Sequence, residues 1–219
     1  VTLRGNDGTP VFLDDHDRRS FLSIMGHAGQ LADWRLLSYC LMTNHVHMLV
    51  RLGPEKLSLG MHAIGTTHSH RFNKIHERTG HLFGDRYYSK VVEYDEHLAL
   101  TFRYIALNPW RAGLVQDHDR WPWSAHAALA GLGPAHRALD RDVALEYFDG
   151  SCDRYREFVA EGKDLPERPP LADLTRSGEL RLAIFHGYTQ EEIAEELRVS
   201  QPTVFRLLRH ETATKLPRE

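Results

Sequence analysis

Between Tyr39 and Leu52 the chain reads YCLMTNHVHMLVRL, two strand-like apolar runs separated by Thr43-Asn44, and this stretch limits the fold more than any other. Two such runs joined by a two-residue turn predict a hairpin, with strands over Trp34–Met42 and His45–Leu52. Successive strand side chains point to opposite faces, so His45 and His47 share one face while Val46 points the other way. Two imidazoles therefore stand side by side on a half-buried surface. Such a pair can bind a divalent cation, and it can also be ordinary strand packing.

The elements around the hairpin follow from periodicity. Val1–Arg4 reads as a short strand. Asp14 or Asp15 caps a helix running to about Leu31, with Phe21, Leu22, Ile24 and Met25 facing inward. Leu57, Met61, Ile64, His68, Phe72 and Ile75 recur at steps of three and four, a helix stripe on which His68 reads as a core histidine. Arg86–Glu93 predicts a strand, and Glu96–Leu107 a helix ended by Asn108-Pro109, because the residue before proline disfavours the α region. Short helices are expected over Trp121–Ala130 and near Val143–Ala160. The order strand, helix, hairpin, helix, strand, helix implies an α+β fold with an antiparallel sheet.

Composition narrows the function classes. At 42% hydrophobic and 26% charged residues the chain reads as soluble and globular. It has no apolar run near the roughly 20 residues of a membrane span, and its start, VTLRGNDGTPVF, lacks the basic-then-apolar order of a signal peptide. A cytoplasmic location is expected, in contact with the nucleoid if DNA is the partner. Cys40 and Cys152 form no CxxC, so neither a disulfide framework nor a cysteine zinc site is expected. The net charge of −3 averages regions of opposite sign. Residues 51–90 hold seven Lys/Arg against three Asp/Glu, residues 140–179 six against eleven, and residues 198–218 five against one. Both basic regions suit nucleic acid, and both also suit plain solvated helix faces.

A third ligand would strengthen the metal reading of His45 and His47. Tyr104 and Asn108, at i and i+4, lie on one face of the helix from Glu96. The Asn108 amide oxygen completes a two-histidine set suited to Mg²⁺ or Mn²⁺, with positions left open for phosphate oxygens. Tyr104 one turn away can then attack a phosphate. With the helix taken alone, Tyr104 in the core and Asn108 at a helix end describe it equally well.

YCLMTNHVHMLV, GHLFGDRYYSK and RYIALNPWRAGLV, in that order, resemble the single-tyrosine HUH transposases of the IS200-like superfamily, and most closely the REP-associated tyrosine transposases. The resemblance covers about Val1–Ala130. It implies a ferredoxin-like HUH endonuclease fold with His45 and His47 on a central strand, Tyr104 as nucleophile and Asn108 as third metal ligand. It implies cleavage and rejoining of single-stranded or hairpin DNA through a 5′-phosphotyrosine, with Mg²⁺ or Mn²⁺ helping a phenol whose ordinary pKa is about 10 to react. Tyr87 and Tyr88 do not align with that nucleophile. Arg71, Lys74, Arg86 and Lys90 are candidates for DNA backbone contacts. The sequence departs from the family at His68, where relatives often carry an aromatic residue, and at Trp110, where they carry a small or β-branched one.

Beyond a linker expected at Leu165–Leu171, TQEEIAEELRVSQPTVFRLLR fits a helix-turn-helix. Thr189 and Glu192 form a capping box, and Ile193, Ala194 and Leu197 face inward. Ser200 caps a second helix that buries Val204, Leu207 and Leu208. Gln201, Thr203, Arg206 and Arg209 occupy its other face, suited to duplex DNA, although Arg198 stands at a turn position that commonly carries Gly. The expected division is 1–131 for the HUH domain, 132–171 for a helical connector and linker, and 172–219 for the helix-turn-helix domain. Two alternatives remain at this level: a DNA-binding regulator derived from a transposase that has lost cleavage, and a metal-dependent hydrolase, which would need further carboxylate or histidine ligands. Monomer and homodimer are both open.

Overall fold

The computed structural model describes residues 1–53, 57–84, 86–92, 95–164, 170–176, 180, 183, 188 and 190–214, with backbone only at 95, 96 and 209–214. The chain divides into two compact units, Val1–Gly162 and Lys163–Glu219. Among the described residues no helix is long and apolar enough to cross a membrane.

The first unit is α+β, built on β1 (Thr2–Arg4), α1 (Asp15–Leu31), β2 (Trp34–Leu41), β3 (His45–Leu52), α2 (Leu57–Ile75) and α3 (Asp95–Arg111). The sheet is antiparallel in the order β1-β3-β2, with β3 central. The hairpin closes with Met42 N–H donating to the His45 carbonyl at 2.9 Å. Asp14 caps α1 by accepting from the Asp17 amide, and Phe21, Leu22 and Met25 are buried while Ile24 is half-buried. Buried His68 has its Nε2 2.9 Å from the Val11 carbonyl oxygen and its ring against Phe12 and Phe21, which is the core role expected of it.

Four expected elements of the first unit need correction. Residues 86–92 form no strand; Tyr88 makes a single antiparallel bridge to Thr2. A second bridge joins Gly5 and Phe83, so the chain takes five steps from Phe83 to Tyr88 where β1 takes three from Thr2 to Gly5. The extra residues break the ladder. The two bridges nevertheless place Phe83 and Tyr88 beside β1.

Second, α3 does not stop at Asn108 but continues through Pro109 to Arg111. The bias against α geometry before proline is weaker than the packing of buried Ile105, Ala106 and Leu107. The helix ends instead at Gly113, whose φ of 70° allows Gly113 N–H to reach the Trp110 carbonyl and Leu114 N–H the Pro109 carbonyl.

Third, Trp121–Ala130 is helical only over α4 (His126–Leu129). Its first part runs along β2, with Leu41 N–H donating to the Trp123 carbonyl at 2.8 Å and Ala125 N–H to the Tyr39 carbonyl at 2.9 Å. Backbone pairing there outweighs helix formation. Fourth, the helix near Val143–Ala160 is two, α5 (Arg141–Glu146) and α6 (Cys152–Glu161), parted at Asp149 and Gly150, both with positive φ.

The first unit extends to Gly162 and so takes in residues 132–162, read from sequence as a connector. Phe148, Tyr155 and Val159 fill the same core as Phe102 and Leu107 of α3. Residues 165–169 of the expected linker lie outside the described residues.

The second unit contains α7 (Leu171–Arg176), α8 (Gln190–Leu197) and α9 (Gln201–Thr214) around Leu174, Ile193, Ala194 and Val204. Leu197 and Leu208 pack on this core, whereas Leu207 is 40% exposed rather than inward. The reach of α9's apolar stripe ends at Val204 and Leu208, and Leu207 falls beside it. Thr189 of the capping box lies outside the described residues. Arg198 adopts φ 54° in the turn, the conformation that ordinarily favours glycine.

Arg103 fastens α3 to α6. Its guanidinium lies 3.6 Å from the centre of the Phe158 ring, its Nε donates to the Phe158 carbonyl at 2.8 Å, and Nη2 reaches Glu161 at 3.2 Å. The Glu161 carboxylate is largely exposed, so its share is small. Arg103→Ala is expected to lower stability by about 2–3 kcal/mol, and Glu161→Ala by less than about 1 kcal/mol, as read from urea unfolding midpoints.

Candidate functional site

The hairpin and α3 bring four of the expected residues together. His45 and His47 project from the same face of β3, with ring centres 4.8 Å apart and planes at 85°. Tyr104 packs edge-on against His47, ring centres 5.2 Å apart. One helical turn on, the Asn108 amide lies 3.4 Å from His47 Nε2. The amide nitrogen is the atom placed nearest, and a half-turn of the side chain presents the oxygen.

Two residues that sequence reading did not single out orient the imidazoles. Asn44, the last residue of the hairpin turn, places its side-chain oxygen 2.7 Å from His45 Nδ1. An amide oxygen only accepts, so His45 carries its proton on Nδ1 and keeps the Nε2 lone pair free for a ligand. Thr2 stands opposite His47 in the β1–β3 register, with its hydroxyl 3.1 Å from His47 Nδ1. The adjacency of Asn44 to the motif was visible in the sequence. Thr2 was not, because the register across more than forty residues is a tertiary property.

Burial sets the electrostatics. His47 is 8% exposed, and its pKa is pushed down to about 3, first by burial and then by neighbouring His45. His45 is shifted the same way, by burial and then by the charge of Arg4, its partner in the β1 register. Both rings are therefore neutral at ordinary pH, the state that metal ligation requires. Neutral imidazoles with hydrogen-bonded outer nitrogens, beside an amide, are a donor set that could hold a divalent cation. Arg4 also places a cation beside the pair.

The remaining candidates are dispersed. Arg71 and Lys74 lie on α2, Lys74 exposed and Arg71 with its guanidinium 3.1 Å from His16 Nε2. Arg86 and Lys90 are exposed in the segment that borders β1. Tyr87 packs against the core, and Tyr88 is 67% exposed. In the second unit Gln201 and Arg206 are exposed on α9. Thr203 is half-buried, its hydroxyl 2.9 Å from Ser200 Oγ and accepting from Arg206 at 3.2 Å. The Arg209 side chain lies outside the described residues.

The His47 shift has a consequence for stability. The unfolded chain binds a proton at this ring near pH 6.5, while the folded chain resists it down to about 3. Stability from this group is intact above pH 6.5 and falls as pH drops through that window, by up to about 1.4 kcal/mol per pH unit. His47→Gln is expected to flatten the acid limb of stability against pH, measured by chemical unfolding in chelator-treated buffer. An unchanged limb would place the acid sensitivity elsewhere.

Residues 6–108 match the family model described as Transposase IS200 like. A search of curated proteins gave no match. Among solved structures, that of a REP-associated tyrosine transposase bound to a REP hairpin aligns with 64% of this chain and 84% of its own, at 16% identity and a TM-score of 0.46. The family match runs from the end of β1 to Asn108 and takes in the histidine pair and Tyr104. Through residues 6–108 the chain is similar to the IS200-like transposases.

Proposed function

We propose that this protein cleaves and rejoins single-stranded DNA at a hairpin, with Tyr104 as nucleophile and His45, His47 and Asn108 as ligands of Mg²⁺ or Mn²⁺. The observation that carries the reading is the convergence of Tyr104 and Asn108 on the His47 ring. When bound, the cation supplies positive charge to the non-bridging oxygens of the scissile phosphate.

The protein's own groups do the rest. Tyr104 Oη attacks phosphorus, a phosphorus–oxygen bond forms to tyrosine, and the bond to the 3′ oxygen breaks. The phenolic proton ends on the released 3′-hydroxyl, and the 5′ phosphate stays on the protein. Rejoining runs the same steps backwards with a 3′-hydroxyl as attacker. Thr2 and Asn44 hold the imidazoles in orientation, and Arg4 is placed to contact the DNA backbone. Arg71, Lys74, Arg86 and Lys90 are further backbone contacts in this reading. The REP-associated motifs GHLFGDRYYSK and RYIALNPWRAGLV support a hairpin substrate.

The second unit, in this reading, is a helix-turn-helix domain that holds duplex DNA. Gln201, Thr203, Arg206 and Arg209 on α9 would face the major groove. Arg206→Ala is expected to weaken duplex binding and to reduce the slope of log affinity against log salt by about one, measured by fluorescence anisotropy. Nicking of a supplied single-stranded hairpin should be unchanged.

Labelled hairpin DNA, incubated with protein and Mn²⁺ and run on a denaturing gel, tests the nucleophile. Wild type should form an adduct bearing only label from the DNA 3′ of the nick, and chelator should abolish it. Tyr104→Phe should form none yet still shift the DNA on a native gel. An adduct that persists in Tyr104→Phe refutes the assignment. Hairpin binding by wild type with no adduct under any divalent metal would favour a regulator without cleavage.

A further inference from the structure

The loop between α3 and α4 carries a second histidine cluster that strand transfer does not use. His118 opens a short 3₁₀ turn, His118–Arg120, and His126 is the first residue of α4. Asp119 lies between them. Its Oδ1 is 2.8 Å from His126 Nε2 and 3.1 Å from His118 Nε2, and one ligand atom from each of the three residues lies within 4.8 Å of the others. The two rings have centres 5.0 Å apart. Both histidines are buried, at 4% and 1% exposed, while the Asp119 side chain is 33% exposed and gives the cluster an opening to solvent.

We propose that His118, Asp119 and His126 form a second divalent-cation site, suited to Zn²⁺, that fastens this loop to the body of the first unit. The far nitrogen of His126 has a hydrogen-bonded outer partner, and that of His118 lies beside a carboxylate at ion-pair distance. His126 Nδ1 is 3.2 Å from the Tyr155 hydroxyl of α6, and His118 Nδ1 is 3.5 Å from a carboxylate oxygen of Asp117. Metal-ligating histidines characteristically have an outer partner of the kind Tyr155 gives His126, which fixes the ring and its tautomer. Two imidazoles and one carboxylate, with a fourth position for water, are a common Zn²⁺ donor set. Ligand atoms about 2.0–2.1 Å from a tetrahedral ion lie about 3.3 Å from each other. The contacts to Asp119 fall only a few tenths of an ångström short of that, so a small outward movement of the carboxylate admits the ion. Binding displaces any proton that either Nε2 carries, and Asp119 binds as carboxylate.

The site's position gives it a consequence. The loop it closes is the one that pairs with β2 through Trp123 and Ala125, and β2's Cys40 stands opposite His47 in the sheet. Tyr155 links the same cluster to α6. A cation there would tie α4, α6 and the β2 edge at one point, remote in sequence from the histidine pair on β3.

The test uses the full chain carrying His45→Ala and His47→Ala, so that the first site is silent. After chelator treatment, Zn²⁺ is titrated by calorimetry and bound metal is counted by mass spectrometry. One Zn²⁺ per chain should bind and raise the thermal midpoint by several degrees. Co²⁺ should give the intense visible bands of a four-coordinate ion. Adding Asp119→Asn, which keeps size and shape on a partly exposed residue, should abolish stoichiometric binding. Tyr155→Phe should weaken it about 10–100-fold. No bound Zn²⁺ in the His45→Ala/His47→Ala background overturns the proposal. So does binding that Asp119→Asn leaves unchanged while circular dichroism reports a folded chain. Because no arm measures DNA cleavage, failure of the transposition chemistry would leave the result unaffected.

Discussion

The site depends on α3 lying against the histidine face of β3. A helix placed there must bury one side, and Phe102, Ile105, Ala106 and Leu107 supply it. Apolar burial alone is non-directional and would tolerate rotation or sliding of the helix. Arg103 removes that freedom. A buried arginine is costly unless its donors are satisfied, and the observed placement of α3 lets Arg103 Nε reach the Phe158 carbonyl at 2.8 Å. At Gly162 a β-carbon would lie 2.4 Å from Arg103 Cδ, so the absent side chain is what admits the arginine. The residue next to this anchor is Tyr104, and one turn further is Asn108. The rotation of the helix and the direction of the candidate nucleophile are therefore set by the same contact.

The histidine pair illustrates how burial and chemistry are matched. Two imidazoles withdrawn from water on one strand resist protonation, by desolvation first and by a neighbouring positive or protonatable group second, His45 beside His47 and Arg4 beside His45. For a group that must carry charge this would be a defect. For a ligand that must offer a lone pair it is the required state. Asn44 and Thr2 add direction to what burial does to protonation, since each touches the ring nitrogen remote from the open side.

The two units show different balances of local and long-range control. In the second, α8, its turn and α9 are contiguous in sequence and share one small core. The turn accepts Arg198 at positive φ because Val199 N–H to Ala194 and Arg198 N–H to Glu195 close the helix end regardless of the side chain. In the first unit, elements far apart in sequence meet. The segments after α3 fold back onto β2 and α3, and the domain extends through α6 to Gly162.

Short-range patterning determined much on its own. The hairpin, the shared face of His45 and His47, the span of α2 and the i, i+4 relation of Tyr104 and Asn108 all follow from periods of two and 3.6 residues, which are properties of the backbone. The residue-order motifs were enough to indicate the transposase family. Tertiary structure decided what depends on partners distant along the chain. The fourth strand shrank to a bridge at Tyr88 because its register against β1 slips, and α3 ran past Pro109 because packing outweighed a local dihedral bias. Thr2 met His47, and His118 met His126 across Asp119, through sheet register and loop closure that no local pattern encodes. Periodicity tells which face a side chain occupies. What that face meets is fixed only when the loops close and the core is filled.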